Sequence, residues 1–92
     1  MADSVQLDEP IVVHVERGDW YGVWHGGDYI NVYPDPENAD LDANGGNPQT
    51  CVHSINTTGD VIGDDPEEYV RKEVQEWADE QGGEYRANGW GA

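Results

Sequence analysis

Ninety-two residues supply one hydrophobic core and no second one, because a chain of this size buries only about 60 to 65% of the surface it exposes when unfolded. Twenty Asp and Glu stand against four Lys and Arg, a net charge of −16. That argues against the basic patches by which proteins hold nucleic-acid backbones or anionic membranes. Cys51 is the single cysteine, which excludes an intramolecular disulfide, and no apolar run is long enough to span a bilayer.

The core must come largely from ten Val, four Ile, four Trp and five Tyr, with Leu only at positions 7 and 41 and no Phe. Such usage favours sheet over helix bundle. Residues 1–9 are polar and expected to be loose. Three β-rich runs follow, Ile11 to Glu16, Trp20 to His25 and Tyr29 to Tyr33, separated by Gly and Asp breaks. That pattern predicts an antiparallel meander. Residues 34–49, with Pro34, Pro36, Gly45, Gly46 and Pro48 among Asp and Asn, predict a long acidic surface loop. The alternation over 50–56 offers a fourth strand without requiring one. Asp64-Asp65-Pro66-Glu67-Glu68 opens a helix, with an Asp cap, Pro at the first helical position and acids at the positive end of the dipole. Tyr69, Val70, Val74, Trp77 and Ala78 repeat at helical spacing, and Gln81-Gly82-Gly83 is expected to close the helix. A short last strand over 84–87 and a loose 88–92 complete the chain. The expected fold is a single α+β domain: a meander of three or four strands, one C-terminal helix and that last strand.

The acids are spread from Asp3 to Glu84 rather than gathered in a tail. In molar salt the Debye length falls to about 3 Å, and repulsion among exposed carboxylates largely vanishes. The carboxylate excess and the single Lys, Lys72, resemble the composition of haloarchaeal proteins, which points to a halophilic, cytoplasmic protein. Val13-His14-Val15, Trp20-x-x-Val23, Ala78 to Tyr85 and Asn88-Gly89 together resemble a small ββαβ family, domain of unknown function 2188. The likeness covers about half the chain, and 26–60 is an insertion relative to the family. It implies the fold and a final strand, and no activity.

Register decides which residues share a sheet face. A turn over Val15–Gly18 would oppose Val13 to Tyr21, and a two-residue Gly27-Asp28 turn would oppose Val23 to Val32. Ile11, Val13, Val15, Tyr21, Val23, Ile30 and Val32 would then face the helix. The opposite face would show His14, Trp20, Trp24, Tyr29, Asn31 and Tyr33. Trp20, Trp24 and Tyr33 are on that reading the candidate binding residues, since rings offer contact area at little entropic cost. The competing reading makes them core, and a one-residue slip would exchange the faces.

Asp40-Leu41-Asp42-Ala43-Asn44-Gly45 matches the first half of a calcium loop, making Asp40, Asp42 and Asn44 alternative metal ligands. The closing acid is missing, because Cys51 stands in its place. Cys51-x-His53 with His14 and His25 lacks the paired close spacing of a structural zinc site. Neither a nucleophile held by a base nor a phosphate loop is legible, so no enzymatic activity and no cofactor are expected. The favoured function is a binding or protein-interaction module that uses a sheet face or edge. Its partner is another protein or a second copy, with nucleic acid disfavoured and calcium binding through 40–45 the alternative.

If the acidic surface is an adaptation to salt, stability rises steeply between about 0.2 M and about 3 M KCl as screening removes the self-repulsion. Circular dichroism melts across that series measure it. A melting temperature that stays flat or falls would return the charge to a specific role, such as mimicry of DNA.

Overall fold

In a computed structural model, which describes residues 7 and 9–87, the chain forms a four-stranded antiparallel sheet with helices on both faces. The strands β1 (Ile11–Val15), β2 (Trp20–Trp24), β3 (Tyr29–Tyr33) and β4 (His53–Asn56) lie in sequence order. Helix α1 (Pro36–Ala43) connects β3 to β4, and α2 (Pro66–Trp77) follows β4. A π-helical turn (Ala78–Gly82) leads from α2 into a short α3 (Gly83–Ala87). The expected α+β architecture, the meander, the fourth strand and the C-terminal helix are all present. The segments 1–6 and 88–92, including Trp90, lie outside the described residues.

Two expectations about elements are corrected. The segment read as a loop over 34–49 contains α1. Asp35 caps it by accepting from the Asn38 N–H at 2.8 Å, and Pro36 sits in the first turn. Gly45, at φ +80°, closes it through bonds from Gly45 N–H to Asp42 C=O and from Gly46 N–H to Leu41 C=O. That is a Schellman closure, which needs a left-handed residue after the cap. The Asp-Pro-Glu start repeats the Asp65-Pro66-Glu67 start of α2, where Asp65 accepts from the Glu68 N–H. A high density of weak helix formers hid the signal.

The second correction concerns the end. Residues 84–87, expected as a last strand, lie within α3 (Gly83–Ala87). Gly82 does not stop the helix, because it packs against the Trp20 indole where a Cβ would collide with the ring. Its missing side chain serves a close approach, and the π turn Ala78–Gly82 ends at this contact.

Both hairpins differ from expectation by one residue, and the result is to invert β2. The first turn runs from Glu16 C=O to Asp19 N–H at 3.1 Å, with Gly18 and Asp19 both at positive φ. Asp tolerates the left-handed region better than most residues. The observed partners are Val15 with Trp20, Val13 with Gly22 and Ile11 with Trp24. On the other side Trp24 opposes Ile30 and Gly22 opposes Val32. The β1 and β3 residues face as expected, but β2 turns Trp20, Gly22 and Trp24 toward α2 and Tyr21 and Val23 away.

That inversion builds the core. Trp20 and Trp24 are fully buried with Val13, Val15, Ile30 and Val32, beneath Val70, Val74, Trp77 and Ala78 of the helical run. Trp20 meets Trp77 edge-on at 4.9 Å, and Trp24 meets Tyr69 at 5.7 Å. Between the two indoles Gly22 leaves a notch occupied by Val74, and a Cβ there would overlap the valine methyl. The Trp24 indole N–H donates to Gly27 C=O at 3.0 Å, and the buried Thr57 hydroxyl donates to the same oxygen at 3.1 Å. Arg17, in the first turn, grips Asp79 of the π turn through two bonds of 2.8 and 2.6 Å. The expected Glu67–Arg71 pair closes at 2.8 Å. A smaller cluster of Val23, Tyr33 and Ala39 joins the other face to α1.

Gly22→Ala should cost about 1 to 3 kcal/mol by overpacking against Val74, and Val74→Ala in the same chain should recover part of the loss. Gly27→Ala, where nothing lies within 4 Å of the added methyl, should change stability by less than about 0.5 kcal/mol. Trp24→Ser should cost several kcal/mol, about 3 to 5 by comparison with other Trp truncations. Chemical denaturation in high salt measures all four.

Candidate interaction surface

The predicted binding residues are placed by the register just described. Trp20 and Trp24 lie under α2, whereas Tyr33 lies on the opposite face under α1. The exposed aromatic face expected from the sequence is therefore not formed. A one-residue shift of β2 moves both indoles from the solvent side to the core, where large rings bury the most area.

The calcium trio is likewise separated. Asp40 and Asp42 are two residues apart on a helix, so their side chains diverge by about 200°. Asp40 is exposed, and Asn44 caps the helix end by donating to Asp40 C=O at 2.8 Å. Asp42 points at the sheet. Among the described residues no group of three or more His, Cys, Asp or Glu side chains is arranged to hold a metal ion. The histidines also diverge: His14 bonds Asp19 and stacks on Tyr21, His25 meets Asp42, and His53 stacks on Trp77.

Asp42 instead anchors a polar cluster that sequence reasoning missed. Its Oδ1 lies 2.7 Å from His25 Nε2, while Oδ2 accepts from the Tyr33 hydroxyl at 2.7 Å and from Asn31 Nδ2 at 3.2 Å. The Ser54 hydroxyl extends the network by donating to Asn31 Oδ1 at 2.9 Å. One carboxylate thus ties α1 to β3 and to the residue following β2, with β4 joined through Asn31. Burial works to raise the Asp42 carboxyl, but hydrogen bonds from Tyr33, His25 and Asn31, with the charge of His25, hold it below the usual carboxylate range. Burial and the same carboxylate push the Tyr33 phenol well above its ordinary value. The signal available in the sequence was the alternation of Asn31 and Tyr33 on one strand face, which only a positioned acceptor makes useful. Chemically the cluster is a clamp, since the acid is committed to three donors.

The sheet has two edge strands, β1 and β4. On β1 the His14 C=O accepts from Arg71 at 3.3 Å, whereas α2 lies mainly over β1 and β2 and leaves β4 less covered. Where α2 stops short of β4 a groove of about 210 Å³ opens, walled by His53, Ile55 and Asn56 on one side and Glu73, Glu76 and Glu80 on the other. His53 lies flat against Trp77, with ring centroids 5.3 Å apart and planes within 14°. Burial holds the His53 imidazole below its ordinary range. Burial also raises the Glu73 carboxyl, with the charges of Glu76 and Asp60 adding to it and Lys72 opposing.

The ladder phase identifies the free backbone groups. Thr57 N–H bonds Asp28 C=O at 2.8 Å, and pairing proceeds through Asn56–Tyr29, Ile55–Ile30, Ser54–Asn31 and His53–Val32. Bonded and non-bonded pairs alternate in an antiparallel ladder. Ile55 and His53 therefore bond to β3, while the N–H and C=O groups of Ser54 and Asn56 point outward. Both residues are exposed.

Asp42→Asn keeps the shape but removes the charge and one acceptor, and should destabilise the protein by about 1 to 3 kcal/mol at pH 7. A carboxyl whose folded-state pKa is depressed stabilises above its unfolded value, near 3.9, and loses that contribution as pH falls through the folded value. The gap between wild type and Asp42→Asn should therefore narrow below about pH 4. Asp40→Ala, on the outer side of α1, should leave stability within about 0.5 kcal/mol. Denaturant titrations over pH 2.5–7 test the set.

Comparisons with protein families, with characterised proteins and with solved structures find nothing that matches this chain.

Proposed function

We propose that this protein is a non-enzymatic, halophilic binding module that takes an extended segment of a protein partner onto the free edge of β4. The observation that carries the reading is the outward direction of the Ser54 and Asn56 backbone groups on a strand that pairs with β3 on one side and with no strand of the described residues on the other. Main-chain bonds to an exposed edge supply affinity in strand-addition complexes, while pockets for alternate side chains supply specificity. Both sheet faces carry helices, which leaves an edge as the place for recognition. Exposed edges are commonly protected by Lys or Pro, and β4, His53-Ser54-Ile55-Asn56, has neither. Its short length limits self-association while leaving room for a single added strand. Among the described residues no helix is long and apolar enough to cross a membrane.

Proline is tolerated on an edge strand where its missing N–H faces outward. Asn56→Pro should therefore leave the fold near native and abolish partner capture from a high-salt lysate. Asn56→Ala, which keeps the N–H while losing the side-chain bond from Thr58 N–H at 2.7 Å, should capture normally. In the complex the amide protons of Ser54 and Asn56 should become protected from exchange. Equal capture by wild type and Asn56→Pro, with both amides still exchanging freely, would remove the edge from consideration.

A further inference from the structure

We propose that the segment received by β4 is a basic one, an extended strand carrying Lys or Arg at alternate positions. The inference rests on the edge reading above and adds the chemistry of the occupant. A strand laid beside β4 lies about 4.8 Å away, and every second side chain falls on the α2 side of the sheet. There it meets the groove of about 210 Å³ whose far wall is Glu73, Glu76 and Glu80. These positions form one helical stripe about 10 Å long at 1.5 Å per residue. Two side chains at i and i+2 of a strand stand about 7 Å apart, so two cations match the stripe with one carboxylate to share.

Lys72 lies near enough to act on Glu73, but it closes no ion pair with the stripe. The ion pairs of the described residues are His14–Asp19, Arg17–Asp79, His25–Asp42 and Glu67–Arg71, and none includes Glu73, Glu76 or Glu80. The aliphatic stem of an incoming Lys or Arg has Ile55 and the Trp77 ring to lie against, as long charged side chains do elsewhere. The same charges disfavour the other occupants. A second copy added through its own β4 would bring two Glu stripes together, and a nucleic-acid strand would place phosphates against them. At salt concentrations where the Debye length is about 3 Å, long-range attraction is lost and exposed pairs weaken, while a pair partly buried in the groove, as at Glu73, is screened less. The preference should thus persist in concentrated KCl.

The test uses isotope-labelled full chain and two synthetic peptides of about nine residues. One alternates Val with Lys, and the other has Gln for every Lys. In about 1 M KCl the Lys peptide should bind at least about tenfold more tightly than the Gln peptide. Its first amide shifts should fall in 53–56 and 73–80. The combined variant Glu73→Gln, Glu76→Gln, Glu80→Gln, on exposed or half-buried positions, should bring the two peptides level, and Asn56→Pro should abolish both. Equal binding of the two peptides, with shifts still at β4, would overturn the basic-segment inference and leave the edge reading standing. A concentration-dependent dimer formed without peptide and lost in Asn56→Pro would do the same, with a second copy as the occupant. Shifts spread over the whole acidic surface and indifferent to Asn56→Pro would overturn both. The absence of any shift from either peptide at about millimolar concentration would overturn the basic segment too.

Discussion

The notch at Gly22 is the contact on which the rest of the fold depends. A glycine between two tryptophans on one strand face leaves a gap about the size of an aliphatic side chain, and Val74 fills it. With that valine seated, Trp20 and Trp24 flank the helix, and Trp77 meets Trp20 edge-on. The direction of α2 across β1 and β2 follows. Gly82 repeats the arrangement in reverse, for there it is the helical backbone that lacks a side chain and approaches the Trp20 ring. Close approach at both points packs two indoles into a chain too short to spare core volume elsewhere.

A second consequence concerns charge. With a net charge of −16, most carboxylates can only be solvated, yet a few are placed to hold elements together. Asp42 binds α1 to the sheet through three donors, Asp79 receives Arg17 from the distant hairpin turn, and Asp60 accepts from the Tyr69 hydroxyl at 2.7 Å. Each engages a specific donor at short range, where added salt screens least. Glu73, Glu76 and Glu80 differ, since no ion pair among the described residues includes them and only Lys72 acts on Glu73 from nearby.

The coverage of the sheet explains why an edge is the proposed site of recognition. α2 and its continuation cover the β1–β2 half of one face, and α1 covers part of the other. The uncovered strip on the α2 side runs along β4, next to its outward-facing backbone groups, so the groove and the open edge coincide. Main-chain bonding and side-chain selection are available on the same strand.

Local chemistry was enough to determine the three-stranded meander and the start of α2, because turn residues, alternation and an Asp-Pro cap act within a few residues of one another, while it left the fourth strand open. The sequence also carried the start and closure of α1, in Asp35-Pro36-Glu37 and Asn44-Gly45, although its Asp and Asn content resembles a loop. The face of β2 could not be read in the same way. Trp20-Tyr21-Gly22-Val23-Trp24 offers a plausible apolar set in either phase, and a strand inverts all its side chains for a slip of one residue. Only the arrival of Val74 at Gly22 distinguishes the two. The Asp42 cluster is of the same kind, since its carboxylate and its three donors come from separate elements. So is the β4 groove, which exists because α2 lies over β1 and β2 and leaves the last strand uncovered. The sequence by itself determined elements built from local turns, caps and periodicity. The tertiary structure decided the strand phase, the clamp and the open edge, because each depends on which distant side chain occupies a given volume.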